Sequence, residues 1–339
     1  MNDVDFIMLG MTGSGKTCFL TGMYYEMSSG IKGYTLSSDD DIDIELRNKW
    51  ERLCDEKNGI NRFPVGTDKT EQYKFTLEYA YEAIKEFNWL DYPGGDLEKK
   101  STGNLDSYKE IEAAILKSSC LFICVDGQLL CESNKEIMIE NVRNKCSSKI
   151  NGFLSKYINK HKVLPPVAIV VTKYDMCHDL KGEIMEEVIK KSFSSLFVEN
   201  HDKKKLVTII PVSIGRNISD DNYSGRLEPI NIYVPLFWGI WFSLKKDLKL
   251  YISQEEELQR KITLENENIK TIEKKFFCFG RKKKLNKLNE ELKKVKSEFT
   301  SVQRLKNKQI EYIDRIYEQL KDMDVYIGGD KLHMDNIEI

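Results

Sequence analysis

The sequence predicts an α/β fold with a mostly parallel sheet covered by helices on both faces, followed by an α-helical coiled-coil hairpin. Two features predict the sheet: short apolar runs alternate with helical segments, and the first run leads into a glycine-rich loop. The third feature is a C-terminal stretch whose apolar residues recur at spacings of three and four. The 339 residues, 41% hydrophobic and 31% charged, suit a globular domain with a charged extension.

The expected elements alternate along the chain. An apolar strand at 4–9 precedes the glycine-rich loop, and a helix with apolar residues from Phe19 to Met27 follows it and ends at Gly30. Residues 31–69 are polar and predict a long connection with one helix at about 44–54. The later strands are expected at 72–81 with its hairpin partner 87–90, and at 120–125, 167–171 and 206–210; helices are expected around 111–116, 133–160 and 182–199.

The glycine-rich loop at residues 10–17 reads Gly-Met-Thr-Gly-Ser-Gly-Lys-Thr and matches the pattern G-x-x-x-x-G-K-[ST]. Its glycines let backbone N–H groups turn inward around phosphate oxygens, while Lys16 can reach the β- and γ-phosphates. The Thr17 hydroxyl can ligate Mg²⁺, and the helix that follows adds the positive end of its dipole. The residues expected to bind the phosphate end of a nucleotide are Gly13, Ser14, Gly15, Lys16, Thr17 and Cys18.

The segment Asp91-Tyr92-Pro93-Gly94 directly follows an expected strand and has the form D-x-x-G. Asp91 at a strand end would hold Mg²⁺ through water, and the Gly94 N–H could meet the γ-phosphate and sense its presence. A threonine that binds Mg²⁺ and the γ-phosphate should precede the strand at 72–81. Thr67 is the first candidate, and Thr70 is the alternative.

The segment Thr172-Lys173-Tyr174-Asp175 follows the strand at 167–171 and has the form T-K-x-D, a variant of N-K-x-D. The Asp175 carboxylate can accept hydrogen bonds from both N1–H and the N2 amine of guanine, a pair of donors that adenine lacks. The stem of Lys173 would cover one face of the base. One strand later, Ser213 and Ile214 stand where a backbone N–H can contact guanine O6.

Together these motifs resemble the Ras-like GTPase domain of the TRAFAC class of P-loop NTPases, over about residues 1–245. The resemblance implies GTP and GDP binding, slow Mg²⁺-dependent hydrolysis, two switch segments, and a six-stranded sheet with one antiparallel strand. The text F-P-V-G-T before the strand at 72–81, and D-Y-P-G-G after 87–90, looks most like bacterial TRAFAC GTPases. Many of those occur in conflict or anti-phage systems.

Two departures from the Ras-like pattern bear on catalysis. Gly95 stands where these enzymes usually have the glutamine that orients the attacking water, with Asp96 as a possible substitute. Thr12 occupies the third loop position, where its side chain could crowd an incoming arginine finger. The expected enzyme is a slow GTPase with Lys16, Thr67, Gly94 and Asp96 as catalytic residues, completed by a partner or by dimerisation. The alternative is a scaffold that binds GTP without hydrolysing it.

Residues 246–325 predict a helical hairpin, because a seam of apolar residues is sustained over more than five heptads. Lys306 and Gln309 fill its two remaining positions. A shorter seam precedes it, and an aromatic and basic tip at 276–284 lies between the two seams. Alternatively, the two helices form a coiled coil with a second copy of the protein. Residues 245–322 hold 21 Lys/Arg and 14 Asp/Glu, which hints at an interaction surface. The seam residues are 285, 288, 292, 295, 299, 302, 313, 316, 320 and 323.

The expected partners are a guanine nucleotide and a protein effector or partner subunit that binds the coiled coil, with a homodimer also possible. Contact of the tip with a membrane or nucleic acid is possible but less favoured than a solvated tip. The eight cysteines include no C-x-x-C pair, and no signal peptide is evident, which favours a cytoplasmic protein. The apolar stretch at 230–244 is too short to span a bilayer, and residues 326–339 are expected to be a flexible tail.

Overall fold

The computed structural model describes residues 5–55, 61–64, 69–95, 105–177, 180–198, 205–215, 227–274 and 281–334. The chain divides into two compact units. The α/β unit comprises Met1–Phe242 and Gln319–Ile339, and the helical unit comprises Ser243–Glu318. The helical unit is therefore inserted into the chain of the α/β unit.

Nine strands among the described residues form the sheet of the α/β unit. They are β1 (Phe6–Gly10), β2 (Tyr34–Ser37), β3 (Glu71–Tyr79), β4 (Glu82–Asp91), β5 (Cys120–Asp126), β6 (Val167–Thr172), β7 (Leu206–Pro211), β8 (Asp324–Ile327) and β9 (Asp330–His333). Their order across the sheet is β2-β3-β4-β1-β5-β6-β7-β8-β9. Strands β4, β1, β5, β6 and β7 pair in parallel, while the pairs β2–β3, β3–β4, β7–β8 and β8–β9 are antiparallel.

The six expected strands are all present, including the β3–β4 hairpin, but the expectation of a six-stranded sheet with one antiparallel strand is wrong. Strand β2 extends one edge from within the polar connection at 31–69. Strands β8 and β9 extend the other edge, largely from the segment expected to be a flexible tail. They hold because Val325 and Tyr326 are buried beside β7 and because Gly328 and Gly329, at φ 63° and 100°, form the tight turn between them.

Helices follow the strands in the alternating order predicted. They are α1 (Lys16–Ser28), α2 (Asp40–Cys54), α3 (Leu105–Lys117), α4 (Lys135–Val142), α5 (Ser148–His161) and α6 (Gly182–Ser192). A π-helical turn at Arg143–Ser147 joins α4 to α5, where the sequence predicts one helix. Helix α2 begins at a cap in which the Asp39 carboxylate accepts a hydrogen bond from the Ile42 N–H at 3.0 Å, and acidic residues occupy its first turn.

The core covers both faces of the sheet. Strands β5 and β6 contain almost only buried apolar residues, as expected of central parallel strands. On one face, an aromatic cluster contains Phe6, Trp89 and Phe122, with ring centroids 4.9 to 6.0 Å apart. A Cβ atom on Gly239 would lie 2.9 Å from the rings of Phe6 and Phe122, so a helix packs closely on this cluster.

That helix is α7 (Val234–Lys274), which starts in the apolar stretch at 230–244. Within the helical unit, α7 runs antiparallel to α8 (Arg281–Tyr317). Gln309 donates to the Leu244 carbonyl at 3.0 Å, while Gln303 donates to Glu255 at 3.0 Å and Lys306 pairs with the same carboxylate. The expected tip lies mostly outside the described residues. No helix in the described ranges is both long and apolar enough to cross a membrane.

Candidate nucleotide-binding site

The glycine-rich loop forms a tight turn between β1 and α1, closed by backbone hydrogen bonds. Gly13 and Gly15 have φ values of 77° and 86°, a left-handed conformation that favours glycine. The Ser14 N–H donates to the Met11 carbonyl at 3.2 Å, and the Phe19 N–H donates to the Gly15 carbonyl at 2.8 Å, which starts α1. The loop therefore has the concave backbone that anions bind at a helix N-terminus.

Lys16 lies across this loop. Its side chain is buried, and Nζ donates to the carbonyl oxygens of Gly10 at 2.9 Å and Met11 at 3.2 Å. The ammonium group is thus held at the loop by two neutral acceptors. Phosphate oxygens are stronger acceptors for a cation than carbonyl oxygens, so this lysine can exchange its partners for an anionic ligand.

Thr17 and Asp91 meet beside the loop, as the sequence predicts. The Thr17 hydroxyl donates to Asp91 Oδ2 at 3.3 Å, and Asp91 is 1% exposed. Burial raises the pKa of this carboxyl group to about 6, and the Lys16 charge opposes that rise. The other oxygen, Oδ1, is buried without a hydrogen-bond partner.

A hydroxyl next to a buried carboxylate oxygen that has no partner is a donor set suited to a hard cation such as Mg²⁺. The unpartnered Oδ1 of Asp91 is the observation that fits such an ion. Elsewhere in the described ranges, no group of three His, Cys, Asp or Glu side chains could hold a metal. Thr67 lies outside the described residues, while Thr70 is exposed immediately before β3.

Sequence reasoning missed an ionic cluster next to Asp91. Glu71, the first residue of β3, stands directly opposite Asp91 in the β3–β4 register. Its negative charge contributes to the raised pKa of Asp91, while Lys49 of α2 lowers it. Lys49 lies 3.5 Å from the Glu71 carboxylate, so a half-buried ion pair partly compensates two like charges placed across the strands. No sequence pattern links Lys49 to Glu71 and Asp91, because α2 lies in the polar connection and meets β3 only in the folded structure.

Gly94 is in direct contact with the glycine-rich loop. A Cβ atom at this position would lie 2.3 Å from the Thr12 nitrogen and 2.5 Å from the Met11 carbonyl carbon, so no side chain fits without displacing the loop. At Gly95, by contrast, the nearest atom to an added Cβ is the Thr12 hydroxyl oxygen at 3.9 Å. Asp96 lies outside the described residues.

Thr172 ties the loop to the end of β6. Its hydroxyl oxygen lies 2.6 Å from the Ser14 carbonyl, to which it donates, and 3.1 Å from the Val125 carbonyl. The Cys124 thiol also donates to Ser14 O, at 3.0 Å. The threonine that weakened the match to N-K-x-D therefore holds the phosphate loop in place through a buried hydrogen bond.

Lys173, Asp175 and Ser213 meet at the ends of β6 and β7. Lys173 adopts a left-handed conformation with φ 51°, and its ammonium group pairs with Asp126 at 2.7 Å. Asp175 is buried, and its Oδ1 accepts a hydrogen bond from the Ser213 hydroxyl at 2.6 Å. Residues from two motifs far apart in the chain thus orient each other.

A cavity connects these groups with the phosphate loop. Its lining residues are Gly15, Cys18, Phe19, Phe63, Thr172, Lys173, Asp175, Val212, Ser213, Ile214 and Ile232. Its volume is about 50 Å³, room for a few water molecules. Burial raises the pKa of the Cys18 thiol to about 12, which makes that residue an apolar wall at neutral pH.

Phe63 is the lining residue that sequence reasoning missed most clearly. It lies in the polar connection between α2 and β3 as the first residue of the F-P-V-G-T segment, and nothing in that segment assigns it to a cavity at the ends of β6 and β7. The other predicted base-site residues, Thr172, Lys173, Asp175, Ser213 and Ile214, share this one cavity with Cys18. Their roles toward a nucleotide stay predictions.

No protein-family model matches the chain, and no curated protein sequence matches it. Among solved structures, it is similar to a Plasmodium falciparum chain assigned as nucleolar GTP-binding protein 1, at 11% identity over 77% of this chain and 98% of that one, with a TM-score of 0.36. The signal recognition particle receptor SRb-GTP/SRX complex from Chaetomium thermophilum matches at 13% identity over 63% and 91%, with a TM-score of 0.33.

The Ski7 GTPase-like domain of S. cerevisiae, bound to GTP, matches at 16% identity over 62% of this chain and 42% of that chain, with a TM-score of 0.30. TM-scores this low mark distant likenesses and carry no functional argument. The residues of the site are a glycine-rich loop at the start of α1, a carboxylate and hydroxyl suited to Mg²⁺, and a small cavity with a buried aspartate at its wall.

Proposed function

We propose that the α/β unit binds GTP and GDP with Mg²⁺ and hydrolyses GTP slowly. The observation that carries the proposal is the shared cavity of Lys173, Asp175 and Ser213 next to the glycine-rich loop. A base in that cavity would lie at the Asp175 carboxylate while its phosphates lie in the loop. Guanine offers the two adjacent donors that a carboxylate accepts, and adenine does not.

Ser213 supports this assignment by orienting Asp175. Its hydroxyl donates to one carboxylate oxygen at 2.6 Å, and a carboxylate held in one rotamer loses less conformational freedom when it binds a base. Lys173 is held in a similar way by Asp126, at 2.7 Å. The carboxylate and the lysine stem are therefore positioned before the ligand arrives.

At the phosphate end, Lys16 and the N–H groups of the loop would bind the β- and γ-phosphates, while Thr17, Asp91 and Thr67 would hold Mg²⁺. When bound, Mg²⁺ would neutralise negative charge on the phosphates while the γ-phosphoryl group is transferred to water. Gly94 approaches Met11 and Thr12 of the loop so closely that an added Cβ would clash with them, so its N–H is our candidate for the contact with the γ-phosphate. We infer a switch at this position.

Hydrolysis is expected to be slow because Gly95 has no side chain with which to orient water. Asp96 is our candidate substitute, and a partner or a second copy could complete the site. We further propose that the helical hairpin acts as the arm through which nucleotide state reaches a protein partner. The resemblance to bacterial GTPases of conflict systems rests only on the segments F-P-V-G-T and D-Y-P-G-G of the sequence.

The guanine assignment is tested by replacing Asp175→Asn and measuring the affinity for GTP and for xanthosine triphosphate. The amide presents a donor where the carboxylate presents an acceptor, so the preference between the two nucleotides should move toward xanthine by roughly 100-fold or more. Asp126→Asn is the matched control, since it neutralises a neighbouring carboxylate that pairs with Lys173 and accepts a hydrogen bond from the Gln128 N–H, which an amide oxygen can still accept. If both variants keep the wild-type preference, Asp175 does not contact the base.

The slow enzyme is distinguished from a non-hydrolysing scaffold by phosphate release in a single turnover, with and without Mg²⁺. Release that depends on Mg²⁺, and is lost in Asp91→Asn, supports the enzyme. Tight GTP binding with no release over hours, at low and at high protein concentration, supports the scaffold instead.

A further inference from the structure

The net positive charge of the helical unit lies in one half of the hairpin. We call residues 259–274 and 282–296 the tip half, and residues 243–258 and 297–318 the base half. Residues 282–296 contain seven lysines and two glutamates, a net charge of +5, and 259–274 add +1. The base half has a net charge of −1. A general need for solubility does not explain a charge that stops midway along a hairpin.

The lysines of the tip half are exposed and available. All seven lysines of 282–296 are exposed. Lys287 has a loose ion pair with Glu291 at 3.7 Å. No acidic side chain of the described residues pairs with the others, which are Lys282, Lys283, Lys284, Lys293, Lys294 and Lys296. Such unpaired cations attract counterions that a polyanion can displace.

These lysines cluster on one side of α8. At 3.6 residues per turn, Lys282, Lys283, Lys287, Lys293 and Lys294 lie within an arc of about 140° and along about 18 Å of the helix axis. The opposite side carries the apolar seam, including Leu292, which is 8% exposed. The basic side is therefore an elongated stripe directed away from the packing with α7.

The composition of this stripe separates the polyanions that it fits. Between the lysines its exposed residues are Asn286, Asn289, Glu290 and Ser297, so it offers no apolar side chain for insertion into a lipid interface, which interfacial helices require. It also carries no aromatic side chain on which the bases of a single strand could stack. What remains is a row of lysine charges, interrupted by the Glu290 carboxylate, that can face a row of phosphates.

We propose that the lysine stripe of α8 binds the phosphate backbone of double-stranded nucleic acid without reading its sequence. A DNA duplex carries one charge per ~1.7 Å of axis, so about 18 Å of stripe faces roughly ten phosphates, more than enough to engage each of the five lysines. Lysine contacts of this kind position a duplex and carry no base information. None of the nucleotide-site residues belongs to the stripe, so duplex binding can be tested independently of GTP binding.

The test uses the full chain and a short DNA duplex of mixed sequence with a fluorescent label, followed by anisotropy at several salt concentrations. The variant is Lys283→Gln/Lys293→Gln/Lys294→Gln. The matched control is Lys249→Gln/Arg304→Gln/Lys308→Gln, which removes the same three charges from exposed positions of the base half. Circular dichroism and thermal melting of all three proteins report whether the hairpin is intact.

The wild-type protein should bind the duplex with a salt slope near −4 if four or five lysines contact phosphates. The tip-half variant should lose roughly tenfold or more in affinity, with the slope smaller by about 3, whereas the base-half control should change less than about threefold. Equal losses in both variants would mean that only net charge matters and would overturn the proposal. Tighter binding of the wild type to phosphatidylserine vesicles, or to a single strand, than to the duplex would overturn it as well.

Discussion

The phosphate end and the base end of the candidate site are held together in different ways. At the phosphate end, Lys16 donates to carbonyl groups only five and six residues earlier in the chain. At the base end, Ser213 donates to Asp175 across 38 residues, and Thr172 reaches the loop across 158. The Lys16 ammonium group is therefore hydrogen-bonded within the loop, and these bonds must break when a ligand binds. At the base end, contacts between distant segments hold Asp175 and the loop in place before a ligand binds.

The largest effect expected at the phosphate end comes from Lys16→Met. The two hydrogen bonds from its ammonium group would be remade to phosphate oxygens, and bonds to charged groups contribute about 1.5–3 kcal/mol each. Affinity for GTP should fall by roughly 100-fold or more in a titration with labelled nucleotide. Lys181→Met, at an exposed lysine before α6, is the control. Retained affinity in Lys16→Met would remove this lysine from the site.

Asp91→Asn should separate stability from ligand binding. Without nucleotide, the change removes a buried carboxylate that has one unpartnered oxygen, so the free protein should become more stable by about 1–2 kcal/mol near neutral pH. With GTP, the stabilisation that depends on Mg²⁺ should disappear. Thermal melts with and without GTP and Mg²⁺ measure both effects. A variant that is destabilised alone and still responds to Mg²⁺ would contradict the assignment of Asp91 as a metal ligand.

Thr172→Val tests whether the base end positions the phosphate loop. Valine keeps the shape of threonine but cannot donate to the Ser14 carbonyl, a loss of about 1–2 kcal/mol, so GTP affinity should drop roughly tenfold. The ratio of GTP to xanthosine triphosphate affinity should stay unchanged, because Asp175 is untouched. Thr172→Ser, which keeps the hydroxyl, should behave like the wild type. A shift in base preference in the valine variant would show that Thr172 acts on the base itself.

The smallest expected effect is a gain at Gly95. An added Cβ would have its nearest neighbour at 3.9 Å, so Gly95→Gln fits, and its amide could orient water near a γ-phosphate. Single-turnover GTP hydrolysis should rise by about two- to tenfold. Gly95→Ala adds only the Cβ and should leave the rate near that of the wild type. Equal rates in both variants would show that the missing glutamine is not what limits hydrolysis.

The parts of this fold that sequence predicts are those whose signal is local. The glycine-rich loop, the apolar runs of β5 and β6 and the alternation of β3 each follow from residues within one element. The heptad spacing predicts two long helices with apolar seams, but it leaves open whether they pair with each other or with a second copy; the contacts between α7 and α8 come from the structure. Gly94 could be placed at the loop because its motif ends a strand next to β1.

The parts that sequence missed depend on partners far along the chain. Strand β8 is only four residues long and is buried because it lies beside β7. The Gly328-Gly329 pair is a hairpin signal, but the strands on either side of it are only four residues long. Phe63 lies between α2 and β3, and Glu71 is the first residue of β3; tertiary folding alone brings them beside the cavity and Asp91. The contribution of Thr172 could not be predicted either, because its acceptor is a backbone carbonyl of another motif.

The addition of β8 to β7 has a consequence for protein synthesis. The Thr208 hydroxyl of β7 donates to the Asp324 carbonyl at 2.9 Å, across 116 residues that include the whole helical unit. On a ribosome that adds 5–20 residues per second, β7 would emerge on the order of 6–20 s before its neighbour. During that interval β7 is an open sheet edge, the kind that pairs with other chains. Truncation before residue 324 would make that exposure permanent, so we expect such a chain to aggregate more readily than the full-length protein.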